Sequence, residues 1–232
     1  MDLSTRIRAN QFDYWVGIRQ TQKSIELGVG ESLLDIGCGD GSFTQMFLKK
    51  FKRVIGIDPD ETLIKLARKN YGDTYFVSYG EKYEAPKKFD TINMTNLLEH
   101  TEDPVILLKK CKEMLNEGGR IIAQVPNSNS ITRGLGVIMG VIPDIRNMTD
   151  KEKAFFGHQR TYILSELIED VKEAGFGVIE TGGVLYKPLP NALLEVLCNL
   201  SGEVWKDKFI DALVEFGKDR PEECAQIYIC AG

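Results

Sequence analysis

The sequence lacks the features that define several large classes of protein. No run of about 18 apolar residues occurs, which excludes a membrane-spanning helix. No cluster of Lys and Arg forms a basic tail or patch, and the net charge is −5. Both facts argue against a general nucleic-acid binder. The first residues are polar and lack the apolar core of a signal peptide, so we expect a cytoplasmic protein.

Cysteine and histidine are both sparse. The five cysteines are scattered and contain no C-x-x-C pair, which favours reduced thiols over a disulfide framework. Only two histidines occur, His100 and His158. Because the sequence contains no compact group of His, Asp and Glu, we expect no metal site.

The length and the order of the apolar segments predict one α/β domain. A chain of 232 residues with 43% hydrophobic residues has enough material for a core. The pattern predicts strands at 32–36, 53–57, 74–77, 89–94, 119–125, 177–184 and 224–230. It predicts helices at 5–27, 41–50, 60–70, 103–116 and 163–174. Such alternation is typical of a doubly wound, mostly parallel sheet.

The most informative stretch is a glycine-rich turn that follows the first predicted strand. Its pattern is Asp35-x-Gly37-x-Gly39-x-Gly41. Glycine permits positive φ and close approach of a ligand, and a helix start presents free N–H groups. The spacing differs from the dinucleotide pattern G-x-G-x-x-G, and a carboxylate beside the turn would repel a pyrophosphate. Asp58 ends the next apolar run, where nucleotide-binding α/β folds carry a ribose-binding acid.

These residues resemble the class I S-adenosylmethionine (SAM)-dependent methyltransferases. The matching stretches are 34–41, 56–59, 89–92, 97–100, 115–122, 125–127, 158–162 and 174–176. Glu99-His100 after the fourth strand is similar to the ubiquinone-biosynthesis O-methyltransferases. The resemblance implies an α/β, Rossmann-like, doubly wound seven-stranded sheet, mostly parallel with the last strand antiparallel, that carries helical additions. It also implies SAM as cofactor and S-adenosylhomocysteine (SAH) as product.

The resemblance places a cofactor site along the carboxyl ends of the parallel strands. The residues expected to contact the cofactor there are Asp35, Gly37, Cys38, Gly39, Gly41, Asp58, Pro59, Gly80, Glu81, Met94, Thr95 and Asn96. We expect Asp58 to accept hydrogen bonds from both ribose hydroxyls. Cys38 also fits a small apolar filler of the turn. In the N-terminal arm, Tyr14 and Arg19 are candidates for the methionine carboxylate, although aromatic residues there more often pack in the core.

The two histidines are the candidate catalytic residues. Methyl transfer is an in-line displacement that depends on alignment, and a hydroxyl acceptor must also lose its proton. His100 and His158 are suited to take that proton because imidazole titrates near neutral pH. A structural role in shaping the loops is the alternative for both. Asn127, Arg160 and Tyr162 are candidates to contact the acceptor, and a plain surface role is their alternative.

Two segments exceed the minimal pattern of one domain. The predicted division is a helical arm at 1–28, a SAM-binding half at 29–127, a substrate-cap insertion at 128–157 and a C-terminal half at 158–232 with a helical insertion at 189–219. Two amphipathic helices are predicted within that last insertion, Asn191–Leu200 and Val204–Phe216. Their apolar residues either form a homodimer face or pack on the sheet and wall the substrate pocket.

The sequence therefore predicts a methyltransferase that acts on a small molecule. A hydroxyl oxygen of a sugar, glycolipid or secondary metabolite is the expected acceptor, with a histidine as general base. No Asn/Asp-Pro-Pro-Tyr/Phe tetrapeptide follows Met94, which argues against methylation of nucleic-acid or protein amino groups. N-methylation of a small amine is the alternative, and a SAM-binding partner without catalytic activity is a further one.

Overall fold

A seven-stranded sheet forms the centre of the molecule in the computed structural model, which describes residues 11–149, 151–201 and 203–232. The strands are β1 (Ser32–Ile36), β2 (Arg53–Asp58), β3 (Tyr75–Val77), β4 (Phe89–Thr95), β5 (Leu115–Pro126), β6 (Val178–Val184) and β7 (Gln226–Ala231). Their order is β3-β2-β1-β4-β5-β7-β6. Strands β1 to β5 run parallel, and β7 is antiparallel to both its neighbours. The predicted fold class is confirmed.

Helices connect the strands and cover both faces of the sheet. They are α1 (Gln11–Leu27), α2 (Glu61–Tyr71), α3 (Pro104–Met114), α4 (Ile131–Ile138), α5 (Leu164–Glu173), α6 (Asn191–Ser201) and α7 (Glu203–Gly217). Short 3-10 helices lie at Thr44–Lys49, Gly80–Lys82, Leu98–His100 and Pro221–Glu223, and a π-helical turn at Lys151–Phe156. None of the described helices is long and apolar enough to cross a membrane.

Alternate residues of the central strands pack into two separate clusters of the core. Ile121 of β5 packs with Leu107 of α3 and Leu167 of α5, whereas Ile122 packs in a cluster with α1, α6 and α7. Successive side chains of a strand point to opposite faces, so neighbouring residues of β5 serve different helical layers. The fold is therefore a sheet between two layers of helices.

The structure differs from the predicted elements after the glycine turn and before β5. The predicted helix at 41–50 is instead a 3-10 helix that begins at Thr44. Gly41 has a φ of 78°, which a right-handed helix cannot contain. Strand β5 begins at Leu115 rather than residue 119, because Leu115 already pairs with Phe89. Residues 5–10 of the predicted arm lie outside the described residues.

The two helices predicted in the late insertion are present as α6 and α7. Leu194 and Leu213 are buried against the sheet, which agrees with the packing alternative. Other apolar side chains of these helices are exposed, namely Leu193, Val196, Leu197, Leu200 and Phe216. For these exposed residues, a homodimer face stays a prediction.

The parallel strands bring the predicted site to one edge of the sheet. Asp35 lies opposite Asn93 in the register of β1 and β4, and Asp58 is the last residue of β2. The strand order reverses between β1 and β4, and such a reversal opens a crevice at the carboxyl ends of the strands.

The glycine turn between β1 and the first 3-10 helix needs glycine for two reasons. Gly37, Gly39 and Gly41 all have positive φ, at 80°, 54° and 78°. A Cβ atom on Gly41 would also lie 2.8 Å from the ring of Tyr75, which is buried. By contrast, a Cβ atom on Gly118, where φ is 72°, meets nothing within 4 Å.

Gly41→Ala is expected to destabilise the protein more than the matched variant Gly118→Ala. Both carry the backbone strain of a left-handed alanine, about 1–2 kcal/mol. Gly41→Ala adds the overlap with Tyr75, roughly 1–3 kcal/mol for an overpacked site. Urea unfolding of the two variants measures the difference, and equal losses of unfolding free energy would show that the overlap costs nothing.

Candidate active site

The glycine turn is fastened to the end of β2 by backbone hydrogen bonds. The N–H groups of Gly37 and Cys38 both donate to the carbonyl of Ile57, at 2.8 and 3.0 Å. The N–H of Gly39 donates to Oδ2 of Asp58 at 3.0 Å, and that of Asp60 donates to Oδ1 at 2.9 Å. Burial raises the pKa of Asp58 and these two hydrogen bonds oppose the rise. Each carboxylate oxygen keeps a lone pair for a ligand hydroxyl.

Asp35 lies behind the turn and joins it to β4. Its Oδ2 accepts from the Thr44 hydroxyl at 2.6 Å, and its Oδ1 accepts from the Asn93 amide at 2.7 Å. Burial raises the pKa of Asp35 to about 6, against the effect of these hydrogen bonds. Neither Thr44 nor Asn93 is among the predicted site residues. A lone amide inside the apolar strand 89–94 is the signal that points to Asn93.

The other predicted cofactor residues differ in how they meet this edge. The side chain of Cys38 packs with Ile64 and Tyr75, and burial raises the pKa of its thiol. Met94 is fully buried with its sulfur 3.7 Å from that of Cys111, so only its backbone is available at the edge. Of the remaining ones, Gly80 is buried, Glu81 and Thr95 are half-buried, and Pro59 and Asn96 are exposed. Cofactor contact by these residues stays a prediction.

Helix α1 lies against Phe43, just after the glycine turn. The ring of Tyr14 packs on that of Phe43, with centroids 5.6 Å apart. The side-chain amide of Gln20 exchanges hydrogen bonds with that of Asn96 at 3.3–3.4 Å. Arg19 instead points at α7 and forms an ion pair with Asp211 at 2.5 Å. The predicted grip of Arg19 on a carboxylate would require it to leave that pair.

The two histidines meet at the exit of β4. His100 ends the 3-10 helix after that strand, and its ring packs edge-on against His158, with centroids 4.8 Å apart. Nδ1 of His100 lies 3.4 Å from the carbonyl oxygen of Gly157, and Nε2 lies 3.8 Å from Oε1 of Glu99. Burial lowers the pKa of both imidazoles, so both are neutral at pH 7.

Backbone contacts fix the loop that carries His158 onto the turn that carries His100. The N–H of Gln159 donates to the carbonyl of Glu99 at 2.9 Å, and its side-chain amide donates to the carbonyl of His100 at 2.8 Å. Nη2 of Arg160 donates to the carbonyls of Thr101 and Glu102 at 3.0 and 2.6 Å. The histidine pair is therefore held by the main chain on both sides.

The insertion before His158 is organised around Arg133. Its guanidinium donates to the carbonyls of Ile145 and Asn147, at 2.8 and 2.5 Å, and to Glu152 at 2.7 Å. Arg146 adds a two-pronged ion pair to Glu166 at the start of α5. The sequence carries no signal for the role of Arg133, because its partners lie 12 to 19 positions away in an irregular segment.

Glu99 is the most unusual group of the site. It is 2% exposed, and neither of its oxygens has a hydrogen-bond partner among the described residues. Burial raises its pKa to about 8. It opens on a cavity of about 20 Å³, enough for a water molecule. The cavity is lined by Glu99, Pro126, Asn127, Ser128, Arg133, Glu152, His158, Arg160 and Thr161.

Two of the three predicted acceptor residues line this cavity, and the third does not. Asn127 and Arg160 line it. The amide of Asn127 is already engaged, because it donates to the carbonyls of Glu222 and Cys224 at 2.7 and 2.8 Å. Tyr162 belongs to the main core, and its hydroxyl donates to Asp170 at 2.7 Å. Of the three, Arg160 is the best placed beside the histidines, and acceptor contact stays a prediction for all.

The expectation that His, Asp and Glu form no compact group is wrong. Glu99, His100 and His158 form a compact group whose potential ligand atoms lie within 4.8 Å of one another. Donors around a tetrahedral zinc ion sit roughly 3.3–3.5 Å apart, from metal–ligand distances of about 2.0–2.2 Å. The group would have to contract to hold such an ion. Metal-free chemistry stays a prediction.

Glu99→Gln is expected to gain stability relative to the wild type as pH rises from about 4.5 to about 8. The folded protein keeps a proton on Glu99 in this window, whereas the unfolded chain, with an ordinary pKa of 4.5, releases it. Rising pH therefore favours the unfolded wild type, and the amide does not titrate. Urea unfolding at several pH values measures this, and a difference independent of pH would contradict an acid form of Glu99.

Comparison with known proteins shows the family of this chain. Residues 12–181 match the family model of a methyltransferase domain. The chain is 26% identical over 182 residues to a ubiquinone biosynthesis O-methyltransferase from Idiomarina loihiensis, an alignment that covers 71% of this chain and 69% of that protein.

Solved structures share the fold over almost the whole chain. A SAM-dependent methyltransferase from Thermotoga maritima, described as a possible histamine N-methyltransferase, aligns with a TM-score of 0.64 at 23% identity and covers 98% of this chain and 96% of its own. The N-methyltransferase NodS from Bradyrhizobium japonicum, in complex with SAH, aligns with a TM-score of 0.59 at 16% identity, over 97% and 89%. With a family match over most of its length, this chain belongs to the class I SAM-dependent methyltransferases.

Proposed function

We propose that this protein transfers the methyl group of SAM to a hydroxyl oxygen of a small-molecule acceptor, with a histidine as general base. A sugar, glycolipid or other secondary metabolite is the proposed acceptor class. The observation that carries the proposal is the contact of His100 with His158 at the exit of β4. An amine needs less help to lose a proton, so two neutral imidazoles at this place favour a hydroxyl.

The cofactor fits the edge formed by the glycine turn and Asp58. The positive-φ glycines leave the backbone open to a ligand, and the Asp58 carboxylate, already held by Gly39, has lone pairs for the ribose hydroxyls. When bound, SAM supplies an electrophilic methyl group whose sulfur keeps the electron pair of the broken bond. The chain itself contributes alignment of the acceptor and removal of its proton.

We assign the base to His158 rather than to His100. Both ring nitrogens of His100 face protein atoms, one the carbonyl of Gly157 and the other the carboxyl of Glu99. His158 directly follows the insertion and lines the cavity beside Arg160. In this proposal the insertion 128–157 covers the acceptor, and the acceptor's hydroxyl proton passes to the His158 ring.

His158→Asn is expected to lower kcat by about 10²–10⁴-fold, the usual contribution of a general base, without changing SAM affinity. His100→Asn is the matched control and should cost less. The measurement follows transfer of a radiolabelled methyl group from SAM to panels of sugars, phenols and amines. Methylation of amines alone, with full activity in both variants, would replace the proposal by N-methylation. Tight SAM binding without any product would indicate a partner that has lost catalysis.

Removal of metal ions is expected to leave methyl transfer unchanged, because the proposed base is an imidazole. The test compares the enzyme before and after dialysis against EDTA, with the acceptor found in the panel. A loss of activity that zinc or magnesium restores would show that Glu99, His100 and His158 contract around an ion, contrary to the proposal.

A further inference from the structure

We propose that Glu99 is a positioning residue for the histidine pair: its carboxylic acid donates a hydrogen bond to Nε2 of His100, fixes that ring as the Nδ1–H tautomer and leaves the acceptor's proton to His158. The inference rests on the proposed function, since the pair matters for turnover only if one ring is the base.

The tautomer follows from what each nitrogen of His100 faces. Nδ1 lies 3.4 Å from the carbonyl oxygen of Gly157, and a carbonyl can only accept, so the hydrogen belongs on Nδ1. A neutral ring then carries its lone pair on Nε2. The group that faces Nε2 is Oε1 of Glu99, at 3.8 Å, so the carboxyl must turn toward the ring to reach hydrogen-bond length. A carboxylate has no hydrogen to donate to this lone pair, whereas a carboxylic acid has an O–H donor.

The charge states suit this pairing. Burial raises the pKa of Glu99 and lowers the pKa of His100, so near pH 7 the first is an acid and the second a neutral base. Four other charged or titratable groups line the cavity beside Glu99, namely His158, Arg160, Arg133 and Glu152. Arg133 and Glu152 neutralise one another in an ion pair at 2.7 Å. Among the described residues, no Lys or Arg side chain forms a hydrogen bond with Glu99.

The second oxygen of Glu99 completes the arrangement. Arg160 lines the same cavity, and its Nε–H is also buried without a partner among the described residues. A water molecule in the cavity would accept from Nε of Arg160 and donate to the carbonyl oxygen of Glu99. The O–H of Glu99 then serves His100, and every one of these buried polar atoms has a partner.

The two imidazole rings therefore have different roles in catalysis. With Nδ1–H directed at Gly157 and Nε2 bonded to Glu99, His100 has no lone pair left for the acceptor. It holds the His158 ring from the side, at an interplanar angle of 79°. The proton of the acceptor hydroxyl therefore goes to a nitrogen of His158 and from there to solvent after methyl transfer.

The test uses the fact that the chain contains only two histidines. Tag-free, full-length protein labelled with ¹⁵N in its imidazoles is studied by long-range ¹H–¹⁵N correlation with SAH bound, and His158→Asn assigns the signals. We expect His100 to be the Nδ1–H tautomer in the wild type. Glu99→Gln, whose amide N–H can also donate to Nε2, should keep that tautomer. Glu99→Leu, which has no donor, should shift His100 toward the Nε2–H form.

An Nε2–H form of His100 in the wild type, or an unchanged tautomer in Glu99→Leu, would overturn the inference. Circular dichroism checks that the leucine variant folds. If it does not, the ¹³C shift of the wild-type Glu99 carboxyl at pH 7 decides, because a carboxylate value contradicts the donor role. None of these readouts needs an acceptor. Failure of the histidine-base proposal, seen as full activity of His158→Asn, is therefore distinguishable from failure of this inference.

Discussion

Parallel pairing of β1 with both β2 and β4 is the constraint on which the rest of this structure depends. The register sets Asp35 beside Gly56 on one side and Asn93 on the other, and it ends β2 at Asp58. Parallel strands have their carboxyl ends at the same edge of the sheet. This arrangement keeps the glycine turn, Asp58 and the exit of β4 close together. The bonds from the turn to Ile57 and Asp58 then hold this edge, which is the proposed cofactor site.

The side of the site proposed for the acceptor is built differently, by a long loop that returns to the sheet. Hydrogen bonds from Gln159 and Arg160 to the main chain of residues 99–102 hold the loop that carries His158 beside His100. Inside the insertion, the hydrogen bonds of Arg133 hold distant parts of the segment together, as strand pairing does in the core. In the proposed function, the part of the fold with regular strand pairing binds the cofactor, and the irregular part, held by side-chain hydrogen bonds, covers the acceptor.

The extent of prediction from the sequence follows the same division. The glycine turn, Asp58 and the alternation of strands and helices depend on short-range patterns, so local residue types reveal them. The partners of Asp35, the contact of the histidines and the isolation of Glu99 depend on residues far apart in the chain, and no periodicity encodes them. The predicted helix at 41–50 cannot begin at Gly41, whose φ is positive, and a 3-10 helix over Thr44–Lys49 stands in its place. Arg19 pairs with Asp211 of an inserted helix that the core pattern does not include.

Calorimetric titration with SAH is the most direct test of the account, with Asp58→Asn compared against Asp73→Asn, an exposed acid outside the edge. Loss of a charge-assisted hydrogen bond is expected to weaken binding about 10–100-fold in Asp58→Asn. The control variant should bind like the wild type. Equal affinity of all three proteins would contradict the claim that the carboxyl end of β2 holds the cofactor.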